Sequence, residues 1–135
     1  MELITWDDSL SVKVKEIDEQ HKKLIRLINS LHEAMIQRKT KEALGTIINE
    51  LMDYTTGHFL TEETYFEKFE YGERDSHKRE HTGFVNKVSA FHTDFQTGKM
   101  FLSMEIMNFL KDWLIKHIKG TDKKYGPLFN SRGLM

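Results

Sequence analysis

The sequence predicts an all-α protein, an up-down-up-down antiparallel four-helix bundle with an N-terminal arm. Three observations lead there. Four long stretches place apolar residues three and four positions apart, the spacing that lines one face of a helix. The only proline among 135 residues is Pro127, so no earlier helix loses a backbone N–H to proline. The strand pattern, apolar alternating with polar, is confined to residues 10–15, too few to make a sheet.

Residues 1–17 read as the arm, with Trp6 expected to pack against the bundle. The first helix is expected over about residues 18–38, capped by Asp18, with Leu24, Ile25, Leu27, Ile28, Leu31 and Met35 on its apolar face. The second is expected over about residues 40–69. Thr40 is its cap, and its face reads Leu44, Ile47, Ile48, Leu51, Tyr54, Phe59, Phe66. Gly72 then marks a loop. The third, about residues 75–95, carries Phe84, Val85, Val88, Phe91 and Phe95, and Gln96-Thr97-Gly98 breaks it. The fourth, about residues 99–119, carries Phe101, Leu102, Ile106, Phe109, Leu110, Trp113 and Leu114 and stops at Gly120. Short connections make neighbouring helices antiparallel. No linker, repeat or low-complexity run divides the chain, so residues 1–135 read as one domain.

Composition removes several function classes. Lys and Arg number 20 against 21 Asp and Glu, a net charge of -1, so no basic excess attracts nucleic acid or an anionic membrane. Cysteine is absent, which excludes disulfides, thiolate metal sites, iron–sulfur clusters and cysteine catalysis. No run approaches the roughly 18 apolar residues of a membrane span. The acidic N-terminus has no apolar core of a secretory signal, so a cytoplasmic protein is expected.

The informative residues are polar ones inside the apolar stripes. His21 precedes Leu24 and Ile25 by one turn. His58 follows Tyr54 by four, and Glu62 follows His58 by four, so both face the same way. His77 and His81 are four apart at the start of the third helix, and His117 follows Trp113 by four at the end of the fourth, with Asp122 just past Gly120. Spacing alone decides little; placement decides more. In an up-down-up-down bundle these positions share one end, so five imidazoles and two carboxylates converge in an apolar layer. Burying two ionised carboxylates without cations is very costly. Metal ions resolve this, and seven ligands suit two ions better than one. Histidine with carboxylate suits iron, zinc, copper or manganese. Glu-x-x-His pairs, the mark of carboxylate-rich di-iron oxidases, are absent: the residues three before each histidine are Asp18, Asn29, Thr55, Arg74, Lys78, Ser89 and Leu114. A histidine-rich pair of metals favours holding oxygen over cleaving it. His32 and His92 lie eleven residues beyond His21 and His81, about 16 Å along each helix, and read as packing residues of the far half.

At these residues the chain resembles the bacterial hemerythrins, single-domain relatives of hemerythrin and myohemerythrin. The resemblance rests on Trp6, Ile17-Asp18-Glu19-Gln20-His21, His58-Phe59-Leu60-Thr61-Glu62-Glu63, His77-Lys78-Arg79-Glu80-His81, Trp113-Leu114-Ile115-Lys116-His117-Ile118, and Asp122 followed by Tyr125-Gly126-Pro127. It spans nearly the whole chain. One departure is Val14-Lys15, where the family often shows Gly, which is expected to affect the arm and not the metals. The resemblance implies a non-haem di-iron site that binds O2 reversibly, with a bridging oxo or hydroxo. It implies that Glu62 and Asp122 bridge the irons, that His77, His81 and His117 serve one and His21 and His58 the other, and that Phe59, Trp113, Leu114 and Ile118 line the oxygen pocket. Gln20 and Tyr125 are weaker candidates for supporting roles.

The leading function is therefore an O2 carrier, store or sensor rather than an enzyme. The alternatives are a di-iron redox enzyme (oxidase, peroxidase or nitric-oxide scavenger) and a structural zinc bundle. Expected partners are O2, small anions such as azide and a reductase or electron donor, with the chain a monomer. Coordination counting leaves one open position, on the ion with two histidines, His21 and His58. Geometry adds one expectation. Five residues at about 100° each turn Asp122 about 140° away from His117, so the helix must end or bulge near Gly120 for both to face inward.

Overall fold

The computed structural model describes residues 2–135 as four long helices with three short elements toward the chain ends; Met1 of the arm lies outside the described residues. Helices α1 (Lys15–Ile36), α2 (Lys41–Lys68), α3 (Arg74–Gln96) and α4 (Met104–Gly120) form the bundle, and a six-residue α5 (Gly126–Ser131) closes the chain. Single turns of 3₁₀ helix, Asp8–Leu10 and Asp122–Tyr125, precede α1 and follow α4. No strand occurs among the described residues. No helix there is long and apolar enough to cross a membrane. The core runs from Leu24, Ile28 and Leu31 of α1 through Ile48, Leu51 and Phe66 of α2 to Val88 of α3 and Met107, Leu110 and Ile118 of α4.

Several element ends differ from the sequence expectation, each for a local reason. Helix α1 begins at Lys15, and its boundary residue Val14 makes no side-chain cap. Asp18 sits inside the first turn and reaches back to the arm. Its carboxylate accepts from the backbone N–H of Val12 at 2.9 Å and from the Ser11 hydroxyl at 2.6 Å. The residue expected to start the helix therefore ties the arm to it. Thr40 does cap α2, accepting from the Ala43 N–H at 3.1 Å. Helix α2 ends at Lys68; Glu70 takes a left-handed φ of 53°, and the Tyr71 N–H returns to the Phe66 carbonyl at 2.9 Å.

The largest difference is at α4, which starts at Met104 rather than near residue 99. Gly98 at φ 79° turns the chain, and the N–H groups of Lys99 and Met100 both close on the Asp94 carbonyl. Ser103 then caps α4. Phe101, expected on the core face, is 81% exposed as a result. The helical spacing ran through a segment whose backbone is used to finish α3.

The C-terminal segment returns to the arm. Tyr125 and Phe129 are fully buried against Phe66, with Tyr125 and Phe129 stacked at 4.4 Å. Asn130 donates to the Lys13 carbonyl at 2.9 Å. Trp6, on the arm, is half-buried with Lys22 over its ring at 5.1 Å. Arm and C-terminus thus form a floor under the bundle end that holds the starts of α1 and α3 and the ends of α2 and α4.

Gly126 is the tight point of that floor, because a Cβ there would lie 2.6 Å from the Val12 carbonyl oxygen. Gly126→Ala is expected to destabilise the fold by about 1–3 kcal/mol through overpacking against backbone, read as a lower denaturation midpoint in urea with an unchanged slope.

Candidate metal centre

His21 enters the bundle interior from the second turn of α1, His58 and Glu62 from the last third of α2, His77 and His81 from the first turns of α3, and His117 from the last turn of α4. All five imidazoles are buried, and Glu62 and Asp122 are at 0% exposure. Helix periodicity places the first six. Asp122 needs the chain to change course. Helix α4 ends at Gly120, Thr121 takes φ -112° and ψ -53°, and Asp122 opens the 3₁₀ turn. That break brings the carboxylate inward, where a continued helix would have turned it away.

The seven side chains form two overlapping groups. Glu62, His77, His81, His117 and Asp122 each offer a ligand atom within 4.8 Å of the others, and so do His21, His58, Glu62 and Asp122. Both carboxylates belong to both groups. Asp122 divides its oxygens: Oδ1 lies 2.9 Å from His77 Nε2 and 3.0 Å from His117 Nε2, while Oδ2 lies 3.0 Å from His21 Nε2. Glu62 instead turns one oxygen to both sides. Its Oε1 is 3.3 Å from His58 Nε2 and 3.2 Å from His81 Nε2. Its Oε2 accepts a hydrogen bond from the buried Tyr125 hydroxyl.

These imidazole–carboxylate contacts are close without being hydrogen bonds. Both nitrogens of His21, Oε1 of Glu62 and both oxygens of Asp122 are buried with no hydrogen-bond partner. Lone pairs that converge on a common point are what a cation requires, and unpartnered buried polar atoms are otherwise expensive. The donor set of imidazole and carboxylate, without thiolate, fits iron. Electrostatics carry the same tension. Burial strips water from the His58 imidazolium and pulls its pKa down to about 4. Burial also opposes charge on His117, but the Asp122 carboxylate outweighs it and pushes that pKa up to about 9. Asp122 is held well below the usual carboxylate range: burial opposes its charge, and His117 foremost, with His21 and His77, outweighs it.

Three of the five outward nitrogens are held by residues behind the ligands, while Nδ1 of His21 and of His77 has no partner. Gln20 Oε1 lies 2.6 Å from His58 Nδ1, Glu63 Oε2 is 2.8 Å from His81 Nδ1, and Glu80 Oε1 is 2.9 Å from His117 Nδ1. An Nδ1–H donated to such an acceptor leaves the Nε2 lone pair facing inward. Glu63, Glu80 and Thr121, whose hydroxyl donates to Glu80, were not singled out from the sequence. The usable signal was chemical: an inward Nε2 needs an acceptor for the other nitrogen. Which carboxylate supplies it depends on the rotation of adjacent helices, which no single-helix pattern reports.

Aromatic rings wall the site. Phe59 stacks on His81 at 3.7 Å, Trp113 on His117 at 4.4 Å, and Tyr125 lies against His77 at 5.8 Å. Leu114 and Ile118 are buried beside them on α4. His32 and His92 take no part in either group; His32 is buried along α1 and His92 is half-buried on α3.

Comparison with known proteins gives a consistent picture. Residues 12–129 match the family model of the Hemerythrin HHE cation binding domain. The chain is 37% identical to a bacteriohemerythrin of Stenotrophomonas maltophilia over 125 residues, covering 93% of this chain and 80% of that protein. It is 32% identical to a bacteriohemerythrin of Methylococcus capsulatus over 132 residues, covering 97% and 100% of the two chains. A crystal structure of wild-type hemerythrin superimposes with a TM-score of 0.89 at 31% identity, covering 93% of this chain and 97% of the other.

Metal should be part of the fold's stability. Chelation is expected to lower the melting temperature, and readdition to restore it; free metal a hundredfold above Kd stabilises by about 2.7 kcal/mol for one site. His117→Ala should lose metal measured by elemental analysis, through a missing ligand and a cavity. His32→Gln should leave metal content unchanged, because its ring lies outside both ligand groups.

Proposed function

This chain belongs to the hemerythrin family, and from that premise we propose that it binds O2 reversibly at a non-haem di-iron centre, as an O2 carrier, store or sensor. The observation that carries this reading is the pair of overlapping ligand groups sharing Glu62 and Asp122 in a fully buried layer. In the reading, His77, His81 and His117 hold one iron, His21 and His58 hold the other, and the two carboxylates serve both. Iron bound there supplies reversible one-electron couples on which O2 can draw as it binds and which are restored as it leaves.

The chain's own residues do the rest. The side with two histidines carries fewer protein donors, so with iron bound it would be the side open to O2 or to a small anion such as azide. In this reading Phe59, which packs on His81 and lies 5.9 Å from His58, and Trp113, Leu114 and Ile118 of α4 would wall that position and keep water from it. Dryness matters because these walls would keep protons and water from the oxygen position, and so guard a bound iron pair against oxidation that O2 release does not reverse. Recovery would then need an external electron donor. The Tyr125 hydroxyl is engaged by Glu62.

Support for binding over the alternative of redox catalysis comes from the ligand balance, five imidazoles to two carboxylates, and from the apolar walls. The test is the visible spectrum of the reduced, iron-loaded chain. Colour that develops in air and fades under vacuum is the expected result; irreversible bleaching with turnover would replace this reading with an enzyme. Leu114→Ala is expected to raise the autoxidation rate several-fold with iron content unchanged, since a smaller wall admits water; an unchanged rate would remove Leu114 from the pocket.

A further inference from the structure

The two halves of the ligand cluster are built unequally, and the inequality extends to the side chains behind the histidines. Resting on the two-metal reading above, we propose that Glu63 and Glu80 are positioning residues that set the order of metal filling: the first divalent ion enters the His77, His81 and His117 subsite and is the last to leave, and the His21 and His58 subsite fills second.

Glu62 and Asp122 belong to both groups and so discriminate little between them. Discrimination falls to the imidazoles and what holds them. On one side are three histidines, with His117 Nε2 at 3.1 Å from His77 Nε2 and 3.2 Å from His81 Nε2, already gathered around a common point. Two of these rings are held by carboxylates, His81 by Glu63 at 2.8 Å and His117 by Glu80 at 2.9 Å, and only the third, His77, has no partner at Nδ1. On the other side are two histidines. His58 is held by the neutral amide oxygen of Gln20 at 2.6 Å, and His21 has no hydrogen-bond partner at either ring nitrogen.

A carboxylate acceptor orients an imidazole more firmly than an amide, and raises the basicity of its metal-binding nitrogen more. Glu80 is also fixed in advance. The Thr121 hydroxyl lies 2.9 and 3.2 Å from its two oxygens, so α3 and the end of α4 are joined before any ion arrives. The side chains of Glu63 and Glu80 are 28% and 42% exposed, so neither bears a full desolvation cost. Both negative charges stand behind the three-histidine subsite. Once filled, that subsite places a cation next to the second, which raises the concentration needed for the next ion and separates the steps.

Cobalt(II) titrated into the metal-free, full-length chain tests this, with binding heat and d–d absorption followed together. The expected result is two resolved steps totalling two ions per chain. Glu63→Gln and Glu80→Gln should each weaken the first step about tenfold or more and alter its absorption bands, leaving the second step nearly unchanged. Gln20→Ala should weaken the second step alone. Gln20→Glu should strengthen the second step and draw the two together, a gain that a merely structural role would not produce and that does not depend on a damaged variant folding. Uptake of both ions in one unresolved step, or a Gln20→Ala effect on the first step, overturns the order while leaving the two-metal reading intact. Saturation at one ion per chain overturns that reading and the order with it.

Discussion

The constraint on which the rest of this structure depends is the burial of two carboxylates. Glu62 and Asp122 are wholly removed from water in a layer that is otherwise apolar and aromatic. Such groups need compensation from every direction. Five histidines supply it, and each must come from a different angle. Four helix ends meeting at one end of an antiparallel bundle provide those angles. Asp122 is the most demanding of the seven, because it lies beyond the last turn of α4. The stop at Gly120 and the 3₁₀ turn that follows exist at the one place where a continuous helix would point it outward.

The chain after α4 then serves two purposes. Its turn carries Asp122 inward, and its Tyr125 and Phe129 close the bundle against α2 and the arm. Tyr125 links the two purposes, since its ring packs in the floor and its hydroxyl occupies one oxygen of Glu62. The arm is fastened in turn by Asp18 from α1 and by Asn130 from α5. A damaged contact in this floor therefore reaches the ligand layer through one or two side chains.

The opposite end of the bundle is built to a looser standard. A groove of about 370 Å³, partly open to solvent, lies there between α3 and α4, floored by Leu31, Ile48, Leu51, Val88, Phe91 and Leu110 among others. Met100 on its edge is 42% exposed and the neighbouring Phe101 81%. The contrast is physically reasonable. A metal layer needs atoms placed to within a few tenths of an ångström, while an apolar half needs only enough contact to hold the helices together.

Much of this was legible in the sequence. Helical spacing located four helices, and the histidines and carboxylates inside the stripes marked one end of the bundle, because periodicity and burial are local consequences of residue type. The turn angle from His117 to Asp122 likewise required a helix break near Gly120. Other features were decided only by tertiary packing. Spacing extended the fourth helix back through Phe101, but the Asp94 carbonyl claims that backbone for the end of α3. Asp18 has the chemistry of a cap and instead ties down the arm, because the arm's free N–H and hydroxyl lie within its reach. Glu63 and Glu80 carry nothing in their own helices that separates them from solvent-facing glutamates. Their bonds to His81 and His117 depend on how α2, α3 and α4 are rotated about their axes, and that rotation is set by the packing of the whole core rather than by any one segment.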